Sequence, residues 1–287
     1  DMIMGPQQGG WGWLDQSRVI NKIWDLGTQA RYKRFAQLFD RINNTNLLSL
    51  DWDKGEYVKD SQGTLASADE IAAAVKKYAE NSPIPVVLHL DHGKNFDSCV
   101  AAIEGGYTSV MIDGSSLPFE ENVELTREVV KYAHERGVSV EGELGVLAGV
   151  EDHVFSATST YTNPLKAVEF FKKTGCDALA ISYGTMHGAS KGKNVKLRKE
   201  IAIAIKECMM HENLFGVLVS HGSSTVPRYI VDEINALGGN IQNAYGISIE
   251  ELKAAIPCGI GKINVDTDIR LAVTRNMKEF FHQNPAK

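Results

Sequence analysis

Residues 108–145 read TSVMIDGSSLPFEENVELTREVVKYAHERGVSVEGELG. A short β-branched run (108–112) leads through a Gly-Ser-Ser turn into a charged stretch. There Thr126, Val129, Val130 and Ala133 recur at the spacing of one buried helix face. A second β-branched run (138–141) follows Gly137. Strand, helix and strand in this order form a βαβ unit, which implies parallel strands and a right-handed crossover. The pattern extends in both directions. Apolar runs fall at 86–90, 108–112, 138–141, 178–182, 216–219 and 261–265, and helical stretches at 120–136, 164–174, 197–210, 229–237, 249–255 and 269–282. Six strands on a parallel sheet suggest a closed (βα)8 barrel spanning residues 1–287 as one domain, if two further strand–helix units lie upstream. Residues 1–83 have room for them. Residues 46–50 read as a strand and 31–42 as the helix before it, and a further candidate strand at 20–26 also reads as helix. An open doubly wound sheet is the competing architecture, because a strand count does not show closure.

The 287 residues carry a net charge of −6 with a pI near 5.8, which excludes the basic footprint of a nucleic-acid-binding domain. No apolar run reaches the roughly 18–20 residues of a membrane span. The first residues, DMIMGPQQGGWGWLD, lack the charged-then-apolar pattern of a secretory signal. Cys99, Cys176, Cys208 and Cys258 are widely spaced and read as reduced thiols of a cytoplasmic protein.

The polar residues cluster just after successive strands: His89-Leu90-Asp91-His92, Glu141-Gly142-Glu143, Gly184 to Gly188, His221 to Ser224, and Asn264 to Thr267. On a barrel, that end carries the active site. His92, His187 and His221 each follow a different strand, and three converging imidazoles with an open fourth position are a ligand set for catalytic zinc. Residues 89 and 91 share a strand face, so His92 must reach a metal from a turn. Asp91 is then a carboxylate beside the metal, placed for proton transfer or for orienting a ligand histidine. His89 reads as structural. Gly222-Ser223-Ser224, Asp266-Thr267 and the Gly188 to Lys191 segment suit phosphate, and Arg270 is a candidate for a second phosphate, with a solvated helix charge as its alternative.

The runs LHLDHG (88–93), GYTSVMIDGSSLPFEENVELT (106–126), VSVEGELG (138–145), YGTMHGASK (183–191), VSHGSSTVP (219–227) and KINVDTDIR (262–270) resemble the class II ketose-bisphosphate aldolases, which act on fructose or tagatose 1,6-bisphosphate. The resemblance covers residues 82–285. It implies a zinc-dependent (βα)8 barrel, a homodimer or homotetramer, that interconverts a sugar bisphosphate with two triose phosphates. It implies His92, His187 and His221 as zinc ligands, Glu143 as a carboxylate close to the metal, and Asp91 and Glu151 as catalytic acid/base groups. Gly188, Lys191, Gly222, Ser223, Asn264, Asp266 and Thr267 match positions that bind dihydroxyacetone phosphate, and Arg270 matches the other phosphate site. Lys191 and Gly222 match the surroundings of a monovalent cation, Na+ or K+. Met186 stands where the family has Ser, and Ser190 where it has Tyr or Phe. The turns that the family carries after its first two strands, and its C-terminal helical tail, have no counterpart. A zinc hydrolase and a non-catalytic phosphosugar-binding barrel are the competing readings.

Overall fold

The computed structural model describes residues 68–80, 82–147, 149–151, 154–156, 160–188 and 191–285. The strands expected at 20–26 and 46–50, and the helix at 31–42, lie outside these. A helix α1 (Ala68–Ala79) belongs to one compact unit. The elements that carry the site belong to another, residues 84–103 and 107–285.

That second unit is a β/α alternation. Its strands are β1 (His89–Gly93), β2 (Ser109–Ile112), β3 (Ser139–Leu144), β6 (Ala178–Ile181), β7 (Val217–Ser220) and β8 (Ile260–Ile263). They form one parallel sheet in the order β1-β2-β3-β6-β7-β8. Between them run α2 (Phe96–Glu104), α3 (Phe119–His134), α4 (Pro164–Thr174), α5 (Lys199–His211), α6 (Arg228–Ala236) and α7 (Ile249–Ala255), and α8 (Thr267–Gln283) follows β8. A separate antiparallel pair, β4 (Gly149–Glu151) and β5 (Val154–Ser156), stands between β3 and α4.

The helices start and stop where their sequences dictate. Asn163 caps α4 by accepting from the backbone N–H groups of Leu165 and Lys166, Pro164 opens the first turn, and Gly175 ends the helix at φ 71°. Thr126, Val129, Val130 and Ala133 of α3 are buried, as their spacing requires.

Alternation along the strands separates two faces. Val110, Ile112, Val140, Leu179 and Ile181 point to the helices and are buried. The other face carries His89, Asp91, Ser109, Met111, Glu141, Glu143, Ala180, Val219 and Lys262. Within it Met111, Ala180 and Val219 pack into one apolar cluster. The sheet curls toward this face. A flat sheet would hold β1 and β8 about 24 Å apart, five strand spacings. Instead Lys262 Nζ of β8 lies 3.1 Å from His89 Nε2 of β1, and just beyond the strand Asn264 Nδ2 lies 3.3 Å from Asp91 Oδ1. The described strands are therefore a six-stranded partial barrel, and the concave face is its interior.

The outer packing is tight at Gly142, where an added Cβ would lie 2.8 Å from Phe170 Cε1. Phe170 is fully buried, with its ring centroid 6.2 Å from that of Phe119. Phe170→Ala is expected to cost about 3–5 kcal/mol of stability. Denaturant unfolding with an unchanged m-value would read that loss; a change below about 1 kcal/mol would show that the site collapses around the cavity.

Candidate active site

The strand ends of the concave face converge on three histidines. Within β1 the ladder register shifts between Leu90 and Gly93, and His92 adopts φ 47°, a left-handed conformation uncommon for a non-glycine residue. This bulge lets His92 leave the alternation and join Asp91 at the same mouth. His221 follows β7 directly, and His187 lies in the loop after β6. The ring centroids are 4.8 Å apart for His92 and His221, 5.9 Å for His92 and His187, and 6.5 Å for His187 and His221.

Carboxylates fix the tautomers. His92 Nδ1 is 2.9 Å from Asp113 Oδ2, and His221 Nε2 is 2.8 Å from Glu141 Oε1. A carboxylate only accepts, so these two nitrogens carry the protons. The remaining nitrogens, His92 Nε2 and His221 Nδ1, face each other at 3.1 Å. With both rings neutral these two atoms carry lone pairs, and either a second proton on His92, donated from Nε2 to His221 Nδ1, or a cation shared by the two nitrogens makes the contact favourable. Two nitrogens bound to one tetrahedral zinc at about 2.0–2.1 Å would be separated by roughly 3.3 Å. Asp91, His92 and His221 can each offer a ligand atom, all within 4.8 Å of one another.

The electrostatics favour positive charge at the same place. Burial opposes a charged His92, but the hydrogen bond to Asp113 and the charges of Asp91 and Glu143 outweigh it and raise its pKa to about 10. A metal relieves the same carboxylate field as that proton. Burial and the neighbouring His92 and His221 lower His187 to about 3, which keeps the ring neutral. Asp91 is half-buried; desolvation pushes its carboxyl up, yet His92, His221 and Lys262 hold it below the usual range. Asp113 is half-buried; desolvation pushes its carboxyl up, but the hydrogen bond to His92 brings it down to about 2. Glu143 is pushed well above its ordinary value by burial and by Asp113. Its Oε2 is buried without a hydrogen bond, 3.7 Å from His92 Nδ1. His92, Asp113 and Glu143 form a second group whose possible ligand atoms all lie within 4.8 Å of one another.

The proposed phosphate residues form a ring of loops. Gly222 (φ 60°) has no side chain because a Cβ would lie 2.5 Å from the Met186 carbonyl oxygen and 3.1 Å from His187 N. This close approach seats the β6 loop, with Gly188, against the β7 loop. Lys191 is buried, which lowers its pKa to about 8 against the pull of Asp268 and Asp266, and its ammonium donates to the Ser224 carbonyl at 3.4 Å. Ser223 N–H donates to the Asn264 carbonyl, and its hydroxyl is 2.7 Å from Ser220 Oγ. The N–H groups of Asp266 and Thr267 donate to Ser224 Oγ. Arg270 is exposed and pairs with both oxygens of Asp266. Glu151 ends β4, paired with Val154, and its side chain lies outside the described residues.

Three residues in this site were not singled out from the sequence. Asp113 and Glu141 accept hydrogen bonds from His92 and His221. Asp113 follows β2 as the histidines follow their strands, which was the available signal. Asp268 accepts from Thr225 N, Thr225 Oγ1 and Val226 N, and so holds Val226 at φ 51° in the β7 loop.

The known proteins that this chain resembles carry the same chemistry in their names. Residues 55–287 match the family model described as "Fructose-bisphosphate aldolase class-II". Residues 1–77 match that of "Endo-alpha-N-acetylgalactosaminidase", over little more than a quarter of the chain. A fructose-bisphosphate aldolase of Giardia intestinalis is 45% identical over 234 residues, 79% of this chain and 70% of that protein. One from Treponema pallidum is 46% identical over 202 residues, 67% of this chain and 61% of that protein. The solved YdjI aldolase of Escherichia coli K12 aligns with a TM-score of 0.58 at 31% identity, covering 75% of this chain and 66% of that one. The chain therefore spans about 61–70% of these relatives' own lengths. With a family match that runs from residue 55 to residue 287, this chain belongs to the class II fructose-bisphosphate aldolases.

Proposed function

We propose that the chain catalyses the reversible aldol cleavage of fructose 1,6-bisphosphate to dihydroxyacetone phosphate and glyceraldehyde 3-phosphate, with zinc held by His92, His187 and His221. The carrying observation is the facing pair of imidazole nitrogens at 3.1 Å, each ring anchored from behind by a carboxylate, with Asp91 beside them. When bound, zinc supplies Lewis-acid stabilisation of negative charge on the substrate oxygens. Asp91 accepts the proton of the C4 hydroxyl in cleavage and returns it in condensation. Asn264 Nδ2 donates to Asp91 Oδ1 and orients it. Glu151 exchanges the proton on the triose carbon. Gly188, Lys191, Gly222, Ser223, Asn264, Asp266 and Thr267 bind one phosphate end and Arg270 the other, so that remote binding energy aligns the reacting carbons. Na+ or K+ beside Lys191 and Gly222, closure of the sheet to eight strands between the β1 and β8 edges, a single barrel domain, a homodimer or homotetramer and a cytoplasmic location belong to the same reading. The names of the relatives favour the fructose over the tagatose epimer. No helix among the described residues is long and apolar enough to cross a membrane.

The test is metal removal. Elemental analysis is expected to find zinc. A chelator is expected to abolish fructose 1,6-bisphosphate cleavage, and added zinc to restore it. Borohydride with dihydroxyacetone phosphate is expected to leave the intact mass unchanged. A covalent adduct on Lys191 or Lys262, with activity indifferent to chelator, would replace the metal mechanism with a Schiff base.

A further inference from the structure

Lys262 is a buried cation that the proposed chemistry does not use. Its side chain is 3% exposed on the concave face of β8. Nζ donates to Glu141 Oε2 at 2.7 Å and to His89 Nε2 at 3.1 Å. His89 is arranged for this, because its Nδ1 lies 2.8 Å from Ser109 Oγ and can donate there, leaving Nε2 to accept. Glu141 is equally buried, and its second oxygen takes the proton of His221 Nε2. One carboxylate therefore joins a lysine of β8 to the histidine that follows β7. A carboxylate free to rotate would hold His221 in no fixed orientation. With Oε2 tied to Lys262, the position of Oε1 is set, and so is the direction of the His221 Nδ1 lone pair.

We infer that Lys262 is a positioning residue: through Glu141 it fixes the tautomer and the aim of His221 toward the metal. The inference rests on the metal reading of the His92–His221 pair. It also gives this lysine a role that a Schiff-base nucleophile could not share, since its ammonium is committed to Glu141 and His89. Groups that lie behind a metal-binding histidine typically change metal affinity by 10–100-fold when removed, because they set the orientation and basicity of the ring.

The test measures zinc affinity of the full chain by competition with a chromophoric chelator, alongside the visible spectrum of the cobalt-substituted protein. Wild type is measured first. Lys262→Met leaves Glu141 buried without its partner, and this can prevent folding. The double variant Lys262→Met/Glu141→Gln removes both charges while keeping the side-chain sizes similar, and circular dichroism reports whether each variant is folded. The expected result is a folded double variant whose zinc affinity is weakened about 10–100-fold, with altered cobalt bands. A folded variant that binds zinc within twofold of wild type, with an unchanged cobalt spectrum, overturns the inference and leaves Lys262 with a packing role only. A wild-type protein that takes up no zinc overturns the metal reading itself, and the inference with it.

Discussion

Asp91→Ala is expected to retain zinc and substrate binding and to lose carbon–carbon cleavage by about two to four orders of magnitude, the range for a positioned acid/base. The structure explains why the loss is confined to one step. Asp91 shares the mouth with His92 and His221, and its carboxylate is favoured there by both rings and by Lys262. Its removal leaves the supports of the ligand rings, Asp113 and Glu141, in place. Exchange of the proton on dihydroxyacetone phosphate is expected to survive better than cleavage, because that step is assigned to Glu151. Steady-state cleavage and isotope exchange into dihydroxyacetone phosphate, measured on the same preparation, separate the two. Equal loss of both would make Asp91 an orienting group for the metal site.

His221→Ala is expected to abolish zinc binding and activity together. His221 joins the His92 side of the centre to the buried Glu141 carboxylate. Nδ1 faces His92 Nε2, and Nε2 donates to Glu141. Its loss leaves His92 and His187, and two protein ligands rarely retain catalytic zinc. It also deprives the buried Glu141 carboxylate of one of its two hydrogen-bonding partners, so a loss of thermal stability is expected as well. Zinc stoichiometry after gel filtration is the deciding measurement. A variant that keeps one zinc per chain and near-normal turnover would remove His221 from the ligand set.

Much of this architecture was legible in the sequence, and its failures have physical causes. The helices at 164–174 and 249–255 were read to the residue, because Asn163-Pro164 and Ser248 are strong start signals. The first strand of the sheet was expected at 86–90 but runs from His89 to Gly93. Val86 and Val87 have the β-branched character of a strand, yet they are exposed and precede the ladder. Polar Asp91 and His92 lie inside it, because the concave face is where the polar site is built. Helix α2 escaped notice although Cys99, Ala102 and Ile103 mark a buried face, because it has only nine residues. The three-residue strands β4 and β5 are too short to show alternation. The histidines could be singled out because each follows an apolar run of the sequence. The roles of Glu141 and Lys262 could not, since each depends on a partner from a distant strand that only the curl brings near, and that of Asp113 depends on the turned-out conformation of His92 on the adjacent strand.

That curl has a consequence for how the molecule would come apart. Among the described strands, β1 and β8 each have a single ladder neighbour, and the gap between them is spanned by side chains. A cation shared by His92 and His221 would rivet β1 to the end of β7, across 129 residues of sequence and with no intervening backbone ladder. Such a rivet exists only in the native arrangement and stabilises it by mass action, without constraining the unfolded chain. Metal occupancy would then be felt as rigidity far from the substrate. Binding to the native state alone contributes about 2.7 kcal/mol when free metal is a hundred times its dissociation constant. Metal removal would then lower the unfolding temperature as well as abolish cleavage.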